Sequence, residues 1–199
     1  MRIGIVGAGT VGSNLARALL GAGHEVMLSS REPESDRMQA LIGELGSHAS
    51  VGTVAQTVAF SNLVILALRW DAVPDAVIAG GDWTGKILID VTNRLGVPES
   101  AAQELAQIAH GARVVKAFNT VGAEHFQNPM FNGERASLLI AGDDEEAKAI
   151  VSKLIADLGF EPIDAGNLAV AAHLEDLAEL WLHLARGLGR NFAFRIIRR

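Results

Sequence analysis

The chain has neither cysteine nor tyrosine among its 199 residues. Without cysteine there is no disulfide framework, no thiolate nucleophile and no cysteine-based zinc site. Without tyrosine, a Tyr–Lys proton relay of the kind used by short-chain dehydrogenases is excluded. Long hydrophobic runs are missing too. The longest strongly apolar stretch, LVILAL at 63–68, falls far short of the ~18 consecutive apolar residues a membrane span requires. The amino terminus carries no basic segment followed by an apolar block and cleavage site, so a cytoplasmic protein without membrane contact is expected. Positive charge is scarce: 17 Lys and Arg against 23 Asp and Glu give a net charge of −6. That balance disfavours a nucleic-acid partner, and the locally basic tail RNFAFRIIRR (190–199) reads as a solvated chain end. There is no serine elbow and no H-E-x-x-H, and the six histidines form no i, i+4 pair. No metal site is expected from them.

What is present is a large apolar fraction, 49% of residues, in a chain of single-domain length. Short β-rich runs alternate with helical patterns, the signature of parallel strands joined by helical crossovers. The pattern predicts strands near 2–6, 25–28, 63–68, 86–90, 113–117, 136–141 and 160–164, with a weaker one near 49–52. Helices are predicted from Thr10 to Leu20, after GDDEE (142–146), whose carboxylates suit a helix amino terminus, and near 168–186. The last carries Leu174, Leu177, Trp181 and Leu184 on a seam that Leu180 and Leu182 broaden. A seam that wide serves packing against the domain or a homodimer interface.

The most informative stretch is Gly7-Ala8-Gly9-Thr10-Val11-Gly12. It follows a strand, opens a helix and is succeeded by a second strand within ~30 residues, the context of a dinucleotide-binding turn. Gly7 permits the tight turn, Gly9 lets a pyrophosphate approach the backbone, and Gly12 lets helix and strand pack closely. The second strand then ends in Ser29-Ser30-Arg31, where an NAD site would place an Asp or Glu for the ribose 2′-hydroxyl. Two hydroxyls and a guanidinium match a 2′-phosphate instead, so NADP(H) is the expected cofactor. The fold class follows: α/β, a Rossmann doubly wound, mostly parallel sheet with a small C-terminal helical extension. Residues 1–199 form one domain, with a nucleotide-binding core over about 1–165 and a helix and tail over about 166–199.

In such sheets ligands lie beyond the carboxyl ends of the strands. Three loops leave those ends. ALRWD places Leu68, Arg69 and Trp70 near the nicotinamide ribose; DVTNR supplies Thr92 and Asn93; KAFNTVGAEHF puts Phe118, Asn119 and Thr120 at the hydride face. No catalytic acid or base stands out, and only about 35 residues follow the last strand. The reacting partner must therefore dock on an open face or be enclosed by a second subunit. A small carbonyl or imine, with His173 or Asp176 donated across a dimer, and a non-catalytic NADP(H)-sensing module are the alternatives.

Taken together, IGIVGAGTVGSNLARALLGAGHEV, SSR, ILIDVTN, VVKAFNT, LLIAGDDEEAKAIVSKLIADLGFEPIDAG and the closing HLEDLAELWLHLA…GRNFAF resemble the NADPH-dependent coenzyme F-420 reductase family and the related reductase domains of metalloreductases. The resemblance covers nearly the whole chain. It implies hydride passage between NADP(H) and a small-molecule redox acceptor, a deazaflavin (coenzyme F-420) or a flavin (FMN or FAD). Ala8, Gly9, Thr10 and Val11 would line the pyrophosphate, and Ser30 and Arg31 the 2′-phosphate. Arg69 stands where family members often carry Pro, which leaves the shape of the pocket and the charge of its partner open.

Overall fold

A computed structural model describes residues 1–94, 96–97 and 99–199. An eight-stranded sheet forms the spine: β1 (Arg2–Val6), β2 (Glu25–Ser29), β3 (Ala49–Gly52), β4 (Leu63–Leu66), β5 (Ile87–Asp90), β6 (Arg113–Lys116), β9 (Ser137–Gly142) and β10 (Glu161–Asp164). A separate hairpin pairs β7 (Met130–Phe131) with β8 (Glu134–Arg135). The spatial order is β10-β9-β6-β5-β4-β1-β2-β3. The six strands from β3 to β6 run parallel, and their order reverses between β1 and β4, the switch point of a doubly wound sheet. This is a Rossmann-like α/β architecture with a C-terminal helix.

All eight expected strands are present. One joint departs from the parallel pattern: β9 runs antiparallel to β6, with Lys116 opposite Ala141. No crossover helix separates those two strands; the chain returns through the β7–β8 hairpin, and such a return reverses direction. The helix after GDDEE therefore starts beside Arg113, at the end of the strands opposite the nucleotide turn, where Arg113 approaches Asp144 and Glu146.

Alternation along each strand sends side chains to two cores. Ile3, Ile5 and Ile65 belong to the core on one face, which also takes Leu15 and Leu19 of α1 (Thr10–Gly21) and Val151 and Leu154 of α6 (Glu145–Asp157). Val6, Val64 and Leu66 meet the other face, covered by Val58 of α3 (Val54–Phe60), Val77 of α4 (Val73–Gly80), Leu105 of α5 (Ala101–Ile108) and Leu174 of α7 (Ala171–Leu188). The remaining helix, α2 (Asp36–Leu45), follows β2.

The seam on α7 divides. Leu174 and Trp181 are buried with Ala178, Leu177 and Leu184 are half-buried, and Leu180 and Leu182 face solvent. The tail folds back on the molecule: Phe192 stacks on Trp181, and Ser137 donates its N–H to the Phe194 carbonyl. Among the described residues no helix is long and apolar enough to cross a membrane.

Candidate functional site

The β1–α1 turn shows a division of labour among its glycines. Gly7 sits at φ +115°, where L side chains are strained, and a Cβ on Gly12 would lie 2.0 Å from the Gly7 carbonyl. Helix and strand can meet this closely only with hydrogen at both positions. A Cβ on Gly9 would meet nothing within 4 Å. Gly9 is the N-cap of α1, with no side-chain cap and no acidic residue in the first helical turn. The leading N–H groups of α1 are thus left for an anion, with the helix dipole behind them.

An open groove of about 800 Å³ runs across this turn. Its floor is Val6, Gly7, Ala8 and Gly9. Leu68, Ala72, Ala76 and Ala79 give one wall an apolar strip that suits a flat base, with Asp71 and Asp75 interspersed along it. The opposite wall is Ser30, Arg31, Ser35 and Arg37, with Glu32 beside them. Neither Arg31 nor Arg37 has an ion pair among the described residues. Two unpaired guanidiniums on one wall of a groove next to a helix N-terminus fit a phosphate-rich ligand.

Arg37 was not anticipated from the sequence. It lies in the first turn of α2 and donates to the Ala8 carbonyl at 3.2 Å, so it bridges the turn and the second-strand wall. The available signal was the serine-acid pair Ser35-Asp36, which marks a helix start and would have put Arg37 in a first helical turn. Ser29 also borders the groove, and its buried hydroxyl oxygen accepts the Gly7 N–H at 3.0 Å and fixes the turn. Ser30 stays at the groove, its oxygen accepting the Glu32 N–H. Thr10, Val11 and Gly12 open α1; they are not among the residues that wall the groove, and their backbone N–H groups are the leading donors left free at its floor.

The other three loops behave differently from one another. Leu68 lines the groove, but Arg69 does not: its side chain is 89% exposed and pairs with Asp71 at 3.3 Å. Trp70 is half-buried beneath the Arg94 guanidinium, 5.2 Å from its ring centroid. Thr92 is buried, and its hydroxyl and N–H both donate to Asp90 Oδ1.

Phe118 turns away from the expected hydride face. Its backbone is left-handed, at φ +62°, and its ring packs edge-on against Phe126 in the core, 1% exposed. That conformation is costly for a bulky residue, and it presents Asn119 and Thr120 beyond the end of β6. Asn119 Nδ2 donates to Asn93 Oδ1 at 3.0 Å and to the Leu174 carbonyl at 2.9 Å. Asn119 Oδ1 and Thr120 Oγ1 are buried without a hydrogen-bond partner among the described residues, an arrangement that folding alone does not favour.

The family model described as NADP oxidoreductase, coenzyme F420-dependent, matches residues 2–94. A protein of Arthrobacter sp. assigned as an F420-dependent NADP-reductase superposes over 100% of both chains, with a TM-score of 0.91 and 31% identity. The chain belongs to the coenzyme F420-dependent NADP oxidoreductase family. It is also 34% identical over 179 residues to the rat metalloreductase STEAP3, covering 87% of this chain and 36% of the relative. The chain thus spans about a third of the length of the curated relatives it matches. An imine reductase of Aspergillus terreus, solved with NADPH4 and a dibenzazepine, superposes on 94% of this chain and 63% of its own, with a TM-score of 0.73 and 28% identity. In this family member the groove residues lie within the matched segment, whereas Asn119, Thr120 and α7 lie beyond it.

Proposed function

We propose that the protein binds NADP(H) along the groove and is an oxidoreductase whose acceptor is a deazaflavin or flavin. The observation that carries this reading is the pair of unpaired arginines, Arg31 and Arg37, on the wall where the adenosine ribose would lie. With Ser30 they would hold the 2′-phosphate. The uncapped start of α1 would take the pyrophosphate, and the alanines of α4 the adenine. Asn93, Asn119 and Thr120 would hold the carboxamide end of the nicotinamide, the unpartnered Asn119 Oδ1 and Thr120 Oγ1 gaining partners there after small side-chain rotations.

When bound, the nicotinamide supplies a hydride to or from a second ring. The chain's own task is to place the two carbons near contact and to exclude water. Buried Phe118 and Val91 give the loop ends a rigid apolar base, and Trp70 and Leu68 border the open side. A flat acceptor stacked on the nicotinamide needs no proton relay from the protein, which agrees with the lack of a catalytic histidine or tyrosine there.

Likeness to the imine reductase supports a second reading, reduction of a small imine or carbonyl. Rapid-mixing measurements of NADPH oxidation with deazaflavin, FMN, FAD, small ketones and imines decide between them. We expect turnover with the ring acceptors. Turnover confined to imines or ketones would replace this reading with the second.

A further inference from the structure

Directly under the nicotinamide end lies an ionic cluster that the reading above leaves without a task. Lys116, the last residue of β6, is fully buried. Its Nζ donates to Asp90 Oδ2 at 2.9 Å, to Glu175 Oε1 at 2.9 Å and to the Thr92 carbonyl. Asp90 is the last residue of β5 and Glu175 comes from α7; neither is more than 5% exposed. Asp90 Oδ1 accepts both Thr92 donors, Glu175 Oε1 also accepts the Ala101 N–H, and Glu175 Oε2 accepts the Arg94 N–H. Every carboxylate oxygen thus faces a donor and none faces an acceptor, the bonding pattern of ionised groups. At the rim Arg94 pairs with Glu104. Two cations meet three carboxylates, so the cluster carries one surplus negative charge.

The cluster sits one peptide from Asn93, through the Thr92 carbonyl, and one residue along α7 from Leu174, whose carbonyl holds Asn119. A buried charge acts over several ångströms in a medium of low dielectric. Nicotinamide is neutral when reduced and carries a positive charge once it has given up its hydride.

We infer that the surplus carboxylate of the Lys116–Asp90–Glu175 cluster favours the oxidised over the reduced nicotinamide, and so tunes the bound couple toward hydride donation. The inference rests on the NADP(H) reading of the groove. These are positioning residues, since none of them touches the groove ligand directly. The thermodynamic signature is the ratio of NADP+ to NADPH affinity, and a ten-fold change in that ratio corresponds to about 30 mV for a two-electron couple.

The test is calorimetric titration of NADP+, NADPH and adenosine 2′,5′-bisphosphate into the full chain and into Glu175→Gln and Asp90→Asn. Removing the surplus charge should weaken NADP+ about ten-fold relative to NADPH while leaving the bisphosphate within two-fold. The inference falls if both dinucleotides weaken in parallel, the mark of a purely structural role, or if their ratio does not move. Either amide sets an N–H against a donor and so threatens folding. Glu104→Gln, at the partly exposed rim, should then shift the ratio the same way by about three-fold, and an unchanged ratio there overturns the inference. Failure of the wild-type chain to bind the bisphosphate or either dinucleotide would instead bring down the cofactor reading itself.

Discussion

Gly9 and Gly12 stand three residues apart in one turn and answer to different demands. Gly12 is needed by the fold, because a methyl group there would strike the Gly7 carbonyl. Gly9 has open space and ordinary backbone angles, φ −80° and ψ −170°. Gly12→Ala should therefore lower the unfolding free energy by about 1–3 kcal/mol, as overpacking does. Gly9→Ala should leave stability within about 0.5 kcal/mol yet weaken NADPH at least ten-fold. Urea denaturation and calorimetry on the two variants separate these outcomes; equal losses of stability would contradict them. At this scale the glycine turn and Ser30-Arg31 were legible in the sequence, because their pattern is local. The internal duties of Ser29, Thr92 and Phe118 were not. Ser29 and Phe118 depend on partners that the folded chain brings near, Gly7 and Phe126, while Thr92 turns back on Asp90, two residues before it, instead of facing a ligand. Arg37 was missed because α2 was not predicted, so nothing turned that residue back toward the groove.

Among the elements, strands were easier to find than helices. Buried parallel strands announce themselves as apolar runs, whereas α3 and α5 are only seven and eight residues long. Both carry a capping box, Thr53 with Gln56 and Ser100 with Gln103, a signal that would have placed their starts. The antiparallel joint between β6 and β9 is invisible to periodicity, which does not report strand direction. The tail after α7 is held at its base by Arg190, whose Nε and Nη2 donate to the Glu124 carboxylate at 2.7 and 3.1 Å. Those hydrogen bonds hold the Glu124 carboxyl below the usual carboxylate range, with burial opposing them. A carboxyl with a lowered folded-state pKa stabilises the docked tail above its unfolded value, and that contribution disappears as pH falls through the lowered one. Both side chains are well exposed, so the effect is modest and salt-sensitive. Trp181 stacks on Phe192 of the tail and reports the event. Its fluorescence should change on acidification below the ordinary carboxylate range, before global unfolding, and Arg190→Ala should show the acid-state signal already at neutral pH. No change in that variant would show that stacking alone holds the tail.

For the molecule as a whole, the groove spans the crevice between the two halves of the sheet, so a ligand there couples β1, β2 and α4. Binding to the folded state alone stabilises it by mass action, about 2.7 kcal/mol at a hundred times Kd. NADPH at that excess should raise the melting temperature by roughly 5–10 °C for a domain of this size. Leu180, Leu182 and Leu188 of α7 are 47%, 41% and 69% exposed. A homodimer through that face is our proposal, and sedimentation should show a dimer that Leu182→Glu converts to a monomer. The account as a whole depends on the cationic wall beyond β2 recognising a phosphate on the adenosine ribose. Hydrogen bonds to charged groups contribute roughly 1.5–3 kcal/mol each, about 10- to 100-fold in affinity. The most direct measurement is the dissociation constant of NADPH and of NADH for the wild-type chain and for Arg31→Ala. We expect the wild type to bind NADPH much more tightly, and Arg31→Ala to lose at least ten-fold for NADPH with NADH nearly unchanged. Equal affinity of the wild type for both nucleotides, or an equal loss for both in the variant, would contradict the account.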